Sequence, residues 1–298
     1  MVKIPSVVSH FALHALLGET GAQGLTFPRQ DTTPVWLTLP PTPSLPSPIS
    51  EARIPIDGVE LWIQKYNEDA SQTPLVLDHG GLGYSAYFGA VLSRLIAKGH
   101  YVIALDRRGH GRSTFKADDD FTFDLFANNI YDQLKAAGIG QYNVVGWSDG
   151  GATTLSALLN DTISPTIEKA FLFGTFMLPS DSNSSFPDTD IYAEFVSRCA
   201  QEYSELQPGA NFTQFATKVA TLEATLPQFT TAQLAAISGS RVRIAGAQYD
   251  EAVNLDVPAK LQAAIPGSSL VILNDVSHFA PLQDPDQFTS ALEDFFYA

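Results

Sequence analysis

Residues 142–151 read Tyr-Asn-Val-Val-Gly-Trp-Ser-Asp-Gly-Gly. Residues 142–145 predict a short buried strand, and the residues from 149 onward have helical character. Between them lies the pattern G-x-S-x-G, with Ser148 at its centre. A strand-to-helix turn of this kind exposes the serine oxygen, and its glycines let the strand and the helix approach closely. An ordinary turn explains the same letters, but the strand–turn–helix context favours a nucleophile at Ser148.

Strands and helices alternate on both sides of this turn. Short β-branched or aliphatic runs predict strands at 54–56, 59–63, 75–77, 101–105, 142–145, 170–173, 242–245 and 270–273. Helices are predicted at 86–98, 121–137, 149–159, 257–264 and 284–296. Such alternation is typical of an α/β fold, in which a parallel sheet has helices on both faces. The pair Asp57-Gly58 predicts a hairpin that adds antiparallel strands at one edge.

The first 50 residues differ in composition from the rest of the chain. Residues 38–50 carry five prolines, which favour an extended linker or a strap along the surface. Ahead of them, one face of a short helix could be shared by Val8, Phe11, Ala12, Ala15 and Leu16. We therefore expect an N-terminal extension at 1–50 that covers apolar surface of the core.

Charge and composition exclude several classes of function. The 298 residues include 17 basic and 32 acidic side chains, and this excess of negative charge opposes binding to nucleic acid or to an anionic membrane. Cys199 is the single cysteine, which excludes an internal disulfide and a cysteine-rich zinc site. No apolar run reaches the roughly 18 residues of a membrane span. Residues 1–17 resemble a weak signal peptide, but His10 and His14 interrupt the apolar run, so we expect a cytoplasmic protein.

A serine hydroxyl needs a base within hydrogen-bond reach before it becomes a good nucleophile. Of six histidines, only His278 follows Ser148, and it comes just after the last predicted strand. The order serine, acid, histidine is expected in this architecture, so His278 is the predicted base. Asp250 follows the preceding strand, and we predict that it orients the imidazole. Glu251 is the second choice of acid and Asp275 the third; an Asp–Glu pair also suits a helix cap, and both roles can coexist.

Two backbone amides must face the negative charge that develops on the substrate oxygen. Asp149, directly after the nucleophile, is expected to supply one of them. The other is expected from the glycine-rich loop 78–83, with Gly81 as the predicted donor and Leu82 as the neighbour to check. His79 in the same loop is expected to be structural, with its ring bonded to nearby backbone.

Four separated segments carry short motifs that are more specific together than any one of them alone. They are HGGLG at 79–83, DRRGHGRS at 106–113, GWSDGG at 146–151, and the Asp250/His278 pair with SHFAPLQDP at 277–285. On these residues the chain resembles the α/β-hydrolase superfamily, from about residue 52 to the end. It is similar to the serine-nucleophile branch: small microbial esterases, proline iminopeptidases and biphenyl-hydrolase-like proteins. Ser148 argues against epoxide hydrolases and haloalkane dehalogenases, which use an aspartate nucleophile.

The resemblance implies an eight-stranded sheet with a helical cap inserted after strand six. The hydrolase core then comprises 51–178 and 239–298, and the cap comprises 179–238. The resemblance also implies that Asp106 and Arg108 are scaffold residues and that no cofactor or metal ion takes part in the reaction.

The cap is expected to set the specificity. Its aromatic side chains mostly pack internally, but some must face Ser148 because the cap covers the edge of the sheet. We predict Leu82, Trp147, Phe176 and Phe279 as substrate-binding residues. The cap has no basic cluster, which disfavours highly anionic substrates. These features favour a serine hydrolase that cleaves a small, mainly apolar carboxylic ester or lactone as a monomer or homodimer, with no nucleic-acid or membrane partner.

Other functions stay open at the level of sequence. A small-peptide or amide hydrolase is the first alternative, because acids of the cap could attract a free amino terminus; they are Asp188, Asp190, Glu194 and Glu202. A ligand receptor that keeps the three catalytic residues but hardly turns over is the second. A cofactor-free lyase or perhydrolase on the same scaffold is the third, and the fold alone does not separate these functions.

Overall fold

A computed structural model describes residues 33–298, and eight strands within that range form one sheet. In chain order they are Ser50–Ile56 (β1), Val59–Tyr66 (β2), Leu75–Asp78 (β3), Val102–Leu105 (β4), Tyr142–Trp147 (β5), Ile167–Phe173 (β6), Val242–Ala247 (β7) and Ser269–Leu273 (β8). Across the sheet the order is β1-β2-β4-β3-β5-β6-β7-β8. β2 pairs antiparallel with β1 and β4, and all the other neighbours are parallel. The predicted eight-stranded, mostly parallel sheet is confirmed.

The hairpin at one edge of the sheet follows from its turn residues. Asp57 has φ 47° and Gly58 has φ 72°. Two positive φ values in a row suit the two-residue turn whose twist matches the flanking strands. The register pairs Ile56 with Val59 directly across the turn. The hairpin predicted from this residue pair is confirmed.

Helices cover both faces of the sheet and fill the segment after β6. In chain order they are Gly89–Ala97 (α1), Phe123–Ala136 (α2), Asp149–Leu159 (α3), Asp190–Leu206 (α4), Phe212–Thr225 (α5), Thr231–Leu234 (α6), Val257–Ala264 (α7), Ala280–Gln283 (α8) and Pro285–Phe296 (α9). The helix predicted at 86–98 begins later, because Ser85–Phe88 form a 3-10 turn. α2 also begins later than predicted, after Thr122, whose side chain caps its first turn.

The central strands are buried on both faces. In β3, Leu75 and Leu77 belong to the apolar core that contains α1 and α9. Val76 belongs to the opposite core, which contains α2, α3 and α7. None of the three side chains has accessible surface. Successive side chains of a strand point to opposite faces, so an unbroken apolar run fills two cores at once.

Three helices, α4 to α6, lie between β6 and β7, where the helical insertion is predicted. Thr189, Asn211 and Thr230 cap their first turns by accepting hydrogen bonds from backbone amides. One face of α5, with Phe215 and Leu222, is buried in a third apolar cluster that it shares with residues of the core. α5 therefore packs directly on the carboxyl edge of the sheet.

Residues 34–49, called the strap below, run over the surface of the core. Leu39 is buried, and its carbonyl oxygen accepts a hydrogen bond of 2.8 Å from Arg198 in α4. Pro43 packs against Gly89 at the start of α1. The helix expected near residues 8–16 lies outside the described residues. Within residues 33–298, no helix is both long enough and apolar enough to cross a membrane.

Candidate active site

Ser148 occupies a strained turn between β5 and α3. Its φ of 56° and ψ of −117° are unusual for a residue with a side chain. The turn is held by the Ser148 amide, which donates to the Phe173 carbonyl at 2.8 Å, and by the Ser148 carbonyl, which accepts from Gly151 at 2.8 Å. Backbone strain of this kind persists only where the surroundings enforce it, and it concentrates at functional positions. The half-buried Ser148 side chain is therefore presented at the edge of the sheet.

The glycines around Ser148 are required by space. A Cβ atom on Gly146 would lie 2.5 Å from the Gly150 carbonyl oxygen. One on Gly150 would lie 2.1 Å from the carbonyl oxygen of Asp78. Both distances are shorter than a van der Waals contact, so β3, β5 and α3 can pack this closely only without side chains here. The motif letters that surround Ser148 are thus explained by packing.

His278 and Asp250 meet although 28 positions separate them in the chain. His278 follows β8, and its Nδ1 lies 3.1 Å from each carboxylate oxygen of Asp250, which follows β7. The side chains are 6% and 5% exposed, so the pair is shielded from water. Because Nδ1 faces a carboxylate that can only accept, this nitrogen carries the proton, which leaves Nε2 free to act as a base.

The surroundings of His278 favour its charged form. Burial acts against the charge, but Asp250, Glu251 and Asp149 outweigh it and raise the pKa of His278 above its usual value. Trp147 contributes an apolar wall, with its ring centroid 6.1 Å from that of the imidazole. Within the described part of the chain, Ser148 Oγ makes no hydrogen bond, and such contacts are often loose until a substrate binds.

Neither of the two alternative acids contacts the imidazole. Glu251 accepts hydrogen bonds from the backbone amide of His278 and from the Ser277 hydroxyl, at 3.1 and 3.0 Å. Asp275 is exposed and has φ 54°, as part of the turn after β8. The structure thus brings Asp250, the first choice, to the ring, and gives Glu251 a contact with the backbone instead.

The glycine-rich loop after β3 lies against Ser148. A Cβ atom on Gly80 would be 3.5 Å from Ser148 Cβ. Leu82 has φ 57°, and the Gly83 amide donates to the Gly81 carbonyl at 2.7 Å, so the chain turns tightly at this point. Across residues 33–298, no acceptor is bonded to the amide of Gly81 or to that of Asp149. Both predicted oxyanion donors are therefore available.

A buried arginine, Arg107, is hydrogen-bonded to this loop. Arg107 donates to the Asp78 carboxylate at 2.5 Å and to the Gly80 carbonyl at 3.0 Å. Its backbone amide donates to Nε2 of His79, so the other nitrogen of that ring donates to the Gly80 carbonyl at 2.8 Å. Burial lowers the pKa of His79 far below its usual value, which keeps the ring neutral. His79 is structural, as predicted, whereas no sequence pattern pointed to the role of Arg107.

Two carboxylates that the sequence reasoning missed face the same space. A Cβ atom on Gly81 would lie 2.8 Å from Oδ2 of Asp149 and 2.6 Å from Oε1 of Glu223 in α5. Asp149 is 1% exposed, and within the described chain neither of its carboxylate oxygens has a hydrogen-bond partner. A buried polar group without a partner needs a functional or structural explanation.

Both carboxylates bind protons more readily than usual. Burial raises the pKa of Asp149 to about 6, against the opposing effect of Arg107. The surrounding protein and repulsion from Asp149 raise the pKa of Glu223 well above its usual value, although Glu223 keeps exposed surface. Arg107, the basic residue that opposes both shifts, already pairs with Asp78.

Aromatic side chains of the inserted segment cover the site. The ring of Phe186 lies 6.4 Å from that of His278 and 4.9 Å from that of Tyr192. Tyr192 is half-buried, and burial together with the nearby Glu223 raises the pKa of its phenol. Phe186 and Tyr192 were only two of many aromatic residues in the sequence, and nothing local distinguished them.

The four residues predicted to bind substrate differ in exposure. Leu82 is half-buried and belongs to the loop whose Gly80 lies against Ser148. Trp147, Phe176 and Phe279 are 3%, 4% and 1% exposed, so their side chains are packed inside the protein. Their contact with a substrate stays a prediction.

The acids suggested for an amine-binding role lie on α4 or in the turn before it. Asp188, Asp190 and Glu194 are exposed, and Glu194 pairs with Arg198. Glu202 accepts a hydrogen bond from the Tyr87 hydroxyl at 3.1 Å. Asp190 and Glu194 lie on the exposed surface of α4, and Asp188 ends the 3-10 turn before that helix, so an amine-binding role for these acids stays a prediction. The carboxylates beside the glycine-rich loop 78–83, called the oxyanion loop below, are those of Asp149 and Glu223.

Comparisons with known proteins agree with this arrangement. A model of the α/β hydrolase fold family matches residues 73–196. The human serine hydrolase BPHL is 31% identical over 147 residues, which is 48% of this chain and 49% of that protein. A proline iminopeptidase of Heyndrickxia coagulans is 32% identical over 109 residues, 36% of this chain and 37% of the relative. The chain thus spans about half of these curated relatives, or less.

Solved structures extend the likeness to nearly the whole fold. A meta-cleavage product hydrolase of Pseudomonas fluorescens superposes with a TM-score of 0.68 and 18% identity, over 82% of this chain and 96% of the other. At that identity the likeness shows the fold. With its sheet order, its strained serine turn and the family match over residues 73–196, the chain has the α/β-hydrolase fold.

Proposed function

We propose that this protein is a serine hydrolase that cleaves a small carboxylic ester through an acyl-enzyme. One observation carries the proposal: the strained Ser148 lies beside two free backbone amides, at the same sheet edge as the buried pair His278–Asp250. A nucleophile, an oriented base and an oxyanion site are the parts that acyl transfer requires. The similarity to a serine hydrolase supports the same reaction class.

Each part has a defined step. His278 Nε2 removes the proton of Ser148 as Oγ attacks the ester carbonyl, and Asp250 stabilises the imidazolium that forms. The amides of Gly81 and Asp149 bind the oxyanion. His278 then returns the proton to the leaving alcohol. Water, activated by the same base, cleaves the acyl-enzyme and restores Ser148.

The carboxylates beside the oxyanion loop favour substrates that carry a protonated amine. Asp149 and Glu223 add negative charge to a partly enclosed space, where an opposite charge from the substrate would compensate both. An amino-acid ester satisfies this and keeps apolar parts for the walls near Phe186 and Tyr192. An aminoacyl amide is the second candidate for the same reason, and the similarity to a proline iminopeptidase supports it.

Labelling and matched substrates test the proposal. A fluorophosphonate should label the protein at Ser148, and Ser148→Ala should abolish the label. Three phenyl esters of equal acyl size should then be compared: one with a free α-amine, its N-acetyl form, and the form without the amine. We expect the free amine to give the highest kcat/KM, and Asp149→Asn to reduce that preference.

Other outcomes point to other functions. Labelling without turnover of esters, lactones or aminoacyl amides would favour a receptor. Faster turnover of the aminoacyl amide than of its ester would favour the peptidase. Peracid formation that depends on hydrogen peroxide would favour a perhydrolase. An unlabelled wild-type protein would contradict a serine mechanism altogether.

A further inference from the structure

Glu251 is a largely enclosed acid that the proposed mechanism does not use. Its two carboxylate oxygens accept from different groups of the loop that carries the base: the His278 amide at 3.1 Å and the Ser277 hydroxyl at 3.0 Å. A carboxylate that only accepts, from two neighbouring residues, fixes the backbone of that loop rather than the ring.

Gln283 in α8 holds the same loop from the other side. Its carbonyl oxygen accepts from the Ser277 amide at 2.7 Å, and its amide group donates to the Ser277 hydroxyl at 2.9 Å. The same amide group donates to the Thr38 carbonyl of the strap at 2.8 Å. Ser277 is fully buried, and Glu251 and Gln283 together satisfy its amide and its hydroxyl.

The strap reaches the loop of the acid as well. Trp36 stacks on Tyr249, with ring centroids 4.2 Å apart and planes 17° apart. Tyr249 directly precedes Asp250, just as Ser277 directly precedes His278. The strap thus contacts the residue before the acid and is bonded to the side chain that holds the residue before the base.

We propose that Glu251 and Gln283 are positioning residues that hold His278 within reach of Ser148, and that the strap supports Gln283 through Thr38. The inference rests on the proposed serine mechanism. Asp250 aligns the imidazole ring, but the place of the ring also depends on the backbone of Ser277 and His278. A displacement of about 1 Å at a reacting group can reduce a rate by on the order of a hundredfold.

Glu251 also contributes charge beside the base. The charged groups that act on His278 are Asp250 and Glu251, in the loop after β7, and Asp149, the first residue of α3. Burial and repulsion from Asp250 raise the pKa of Glu251, while His278 opposes that shift. Removing the charge of Glu251 should therefore make the imidazolium less favourable, whereas removing Gln283 should leave the charges unchanged.

Two variants separate charge from positioning. Glu251→Gln keeps an oxygen that can accept but removes the charge. Gln283→Leu keeps the size but removes every hydrogen bond to Ser277 and Thr38. Glu60→Gln, at an exposed acid of β2, is the matched control. The rate of fluorophosphonate labelling of Ser148 is measured against pH, and the imidazole of His278 is titrated by NMR.

We expect Glu251→Gln to move the acid limb of the labelling profile, and the His278 titration, to lower pH by about one unit. Gln283→Leu should lower the labelling rate by on the order of tenfold at every pH and shift neither midpoint. Glu60→Gln should match the wild type. Melting temperatures report whether each variant stays folded.

The inference is overturned if both variants, folded as the wild type, label at its rate and with its pH profile. It is also overturned if Gln283→Leu changes only the melting temperature. Absence of labelling in the wild-type protein would instead contradict the proposed serine mechanism. In that case the NMR titration still tests the role of Glu251. If Glu251→Gln leaves the titration midpoint of His278 unchanged, the charge of Glu251 does not act on the base.

Discussion

His278 Nδ1 lies 3.1 Å from both carboxylate oxygens of Asp250. Asp250 is itself fixed, because its Oδ1 also accepts from the amides of Ala252 and Val253 at 3.0 and 2.9 Å. The Asp250 carboxylate is therefore held by its own loop, independently of the imidazole. One carboxylate thus holds its own loop and sets the tautomer of the base. The Asp–Glu pair does not cap a helix, because α7 begins only at Val257 with Asp256 as its N-cap.

Asp250→Asn should reduce kcat/KM by roughly 10⁴-fold, because an amide facing Nδ1 favours the wrong imidazole tautomer. The fold should persist, since the amide oxygen can still accept from Ala252 and Val253. Ester hydrolysis and the thermal melt of the purified variant check both statements. A larger loss in Glu251→Gln than in Asp250→Asn would show that the acid is assigned to the wrong residue.

Ser148→Ala should fold like the wild type and lose nearly all hydrolysis. The turn is held by backbone hydrogen bonds and by the glycines, so the hydroxyl is not needed for its geometry. Loss of the nucleophile in comparable hydrolases reduces kcat by on the order of 10⁶-fold. The measurement is turnover of the best ester, with circular dichroism as the control for folding. Wild-type turnover in the variant would contradict the mechanism.

Local sequence patterns predicted the sheet and the serine turn because each depends on neighbouring residues. The strand at 142–145 and the glycines after it needed no distant partner to be recognised. His278 and Asp250 could be named because parallel strands bring their carboxyl ends to one edge. The structure brings these two together as expected.

The rest of the site depends on contacts that no local pattern encodes. Glu223 is one acid on a cap helix, and only the packing of α5 on the core places it beside Gly81. The acids that were named instead, such as Asp190 and Glu194, face outward, as charges on a helix usually do. Likewise, only the fold shows that Arg107 is buried beneath the oxyanion loop.

Gly81→Ala should lower kcat and leave the fold largely intact. The new methyl group would lie less than 3 Å from Asp149 and Glu223, so the loop or the carboxylates must move. A displaced amide weakens the oxyanion site, and loss of one such donor lowers kcat by roughly 10²–10³-fold. Gly140→Ala is the control, since its methyl group would meet no atom within 4 Å. Equal kinetics in the two variants would argue against Gly81 as a donor.

Asp149→Asn should stabilise the protein at neutral pH. Burial raises the pKa of Asp149 from 3.8 to about 6, so above pH 4 the folded state binds a proton more readily than the unfolded state. Its contribution to stability therefore falls as pH rises from about 4 to 6 and stays low above that range. A difference of about two in the pKa corresponds to on the order of 3 kcal/mol in the free energy of unfolding.

Urea unfolding at pH 4 and pH 7.5 tests this prediction. The gain from Asp149→Asn should be larger at pH 7.5, whereas Asp161→Asn, at an exposed loop residue, should change little at either pH. Asp149 would then be a residue kept for activity at the expense of stability. A variant that is less stable than the wild type at pH 7.5 would contradict the argument.

Preference for an amine-bearing ester should depend on pH through Asp149. Below pH 7 an α-amine stays mostly protonated, because its usual pKa is about 7.7–8.0. Asp149, with its pKa raised to about 6, loses its charge as pH falls from 7 to 5. The ratio of kcat/KM for the amino ester to that for the ester without the amine should therefore fall over this range. The ratio cancels the titration of His278, which affects both substrates equally.

In Asp149→Asn the ratio should be lower at pH 7 and vary less with pH, since Glu223 alone still titrates. A wild-type ratio that is high but independent of pH would move the amine-binding role from Asp149 to another residue.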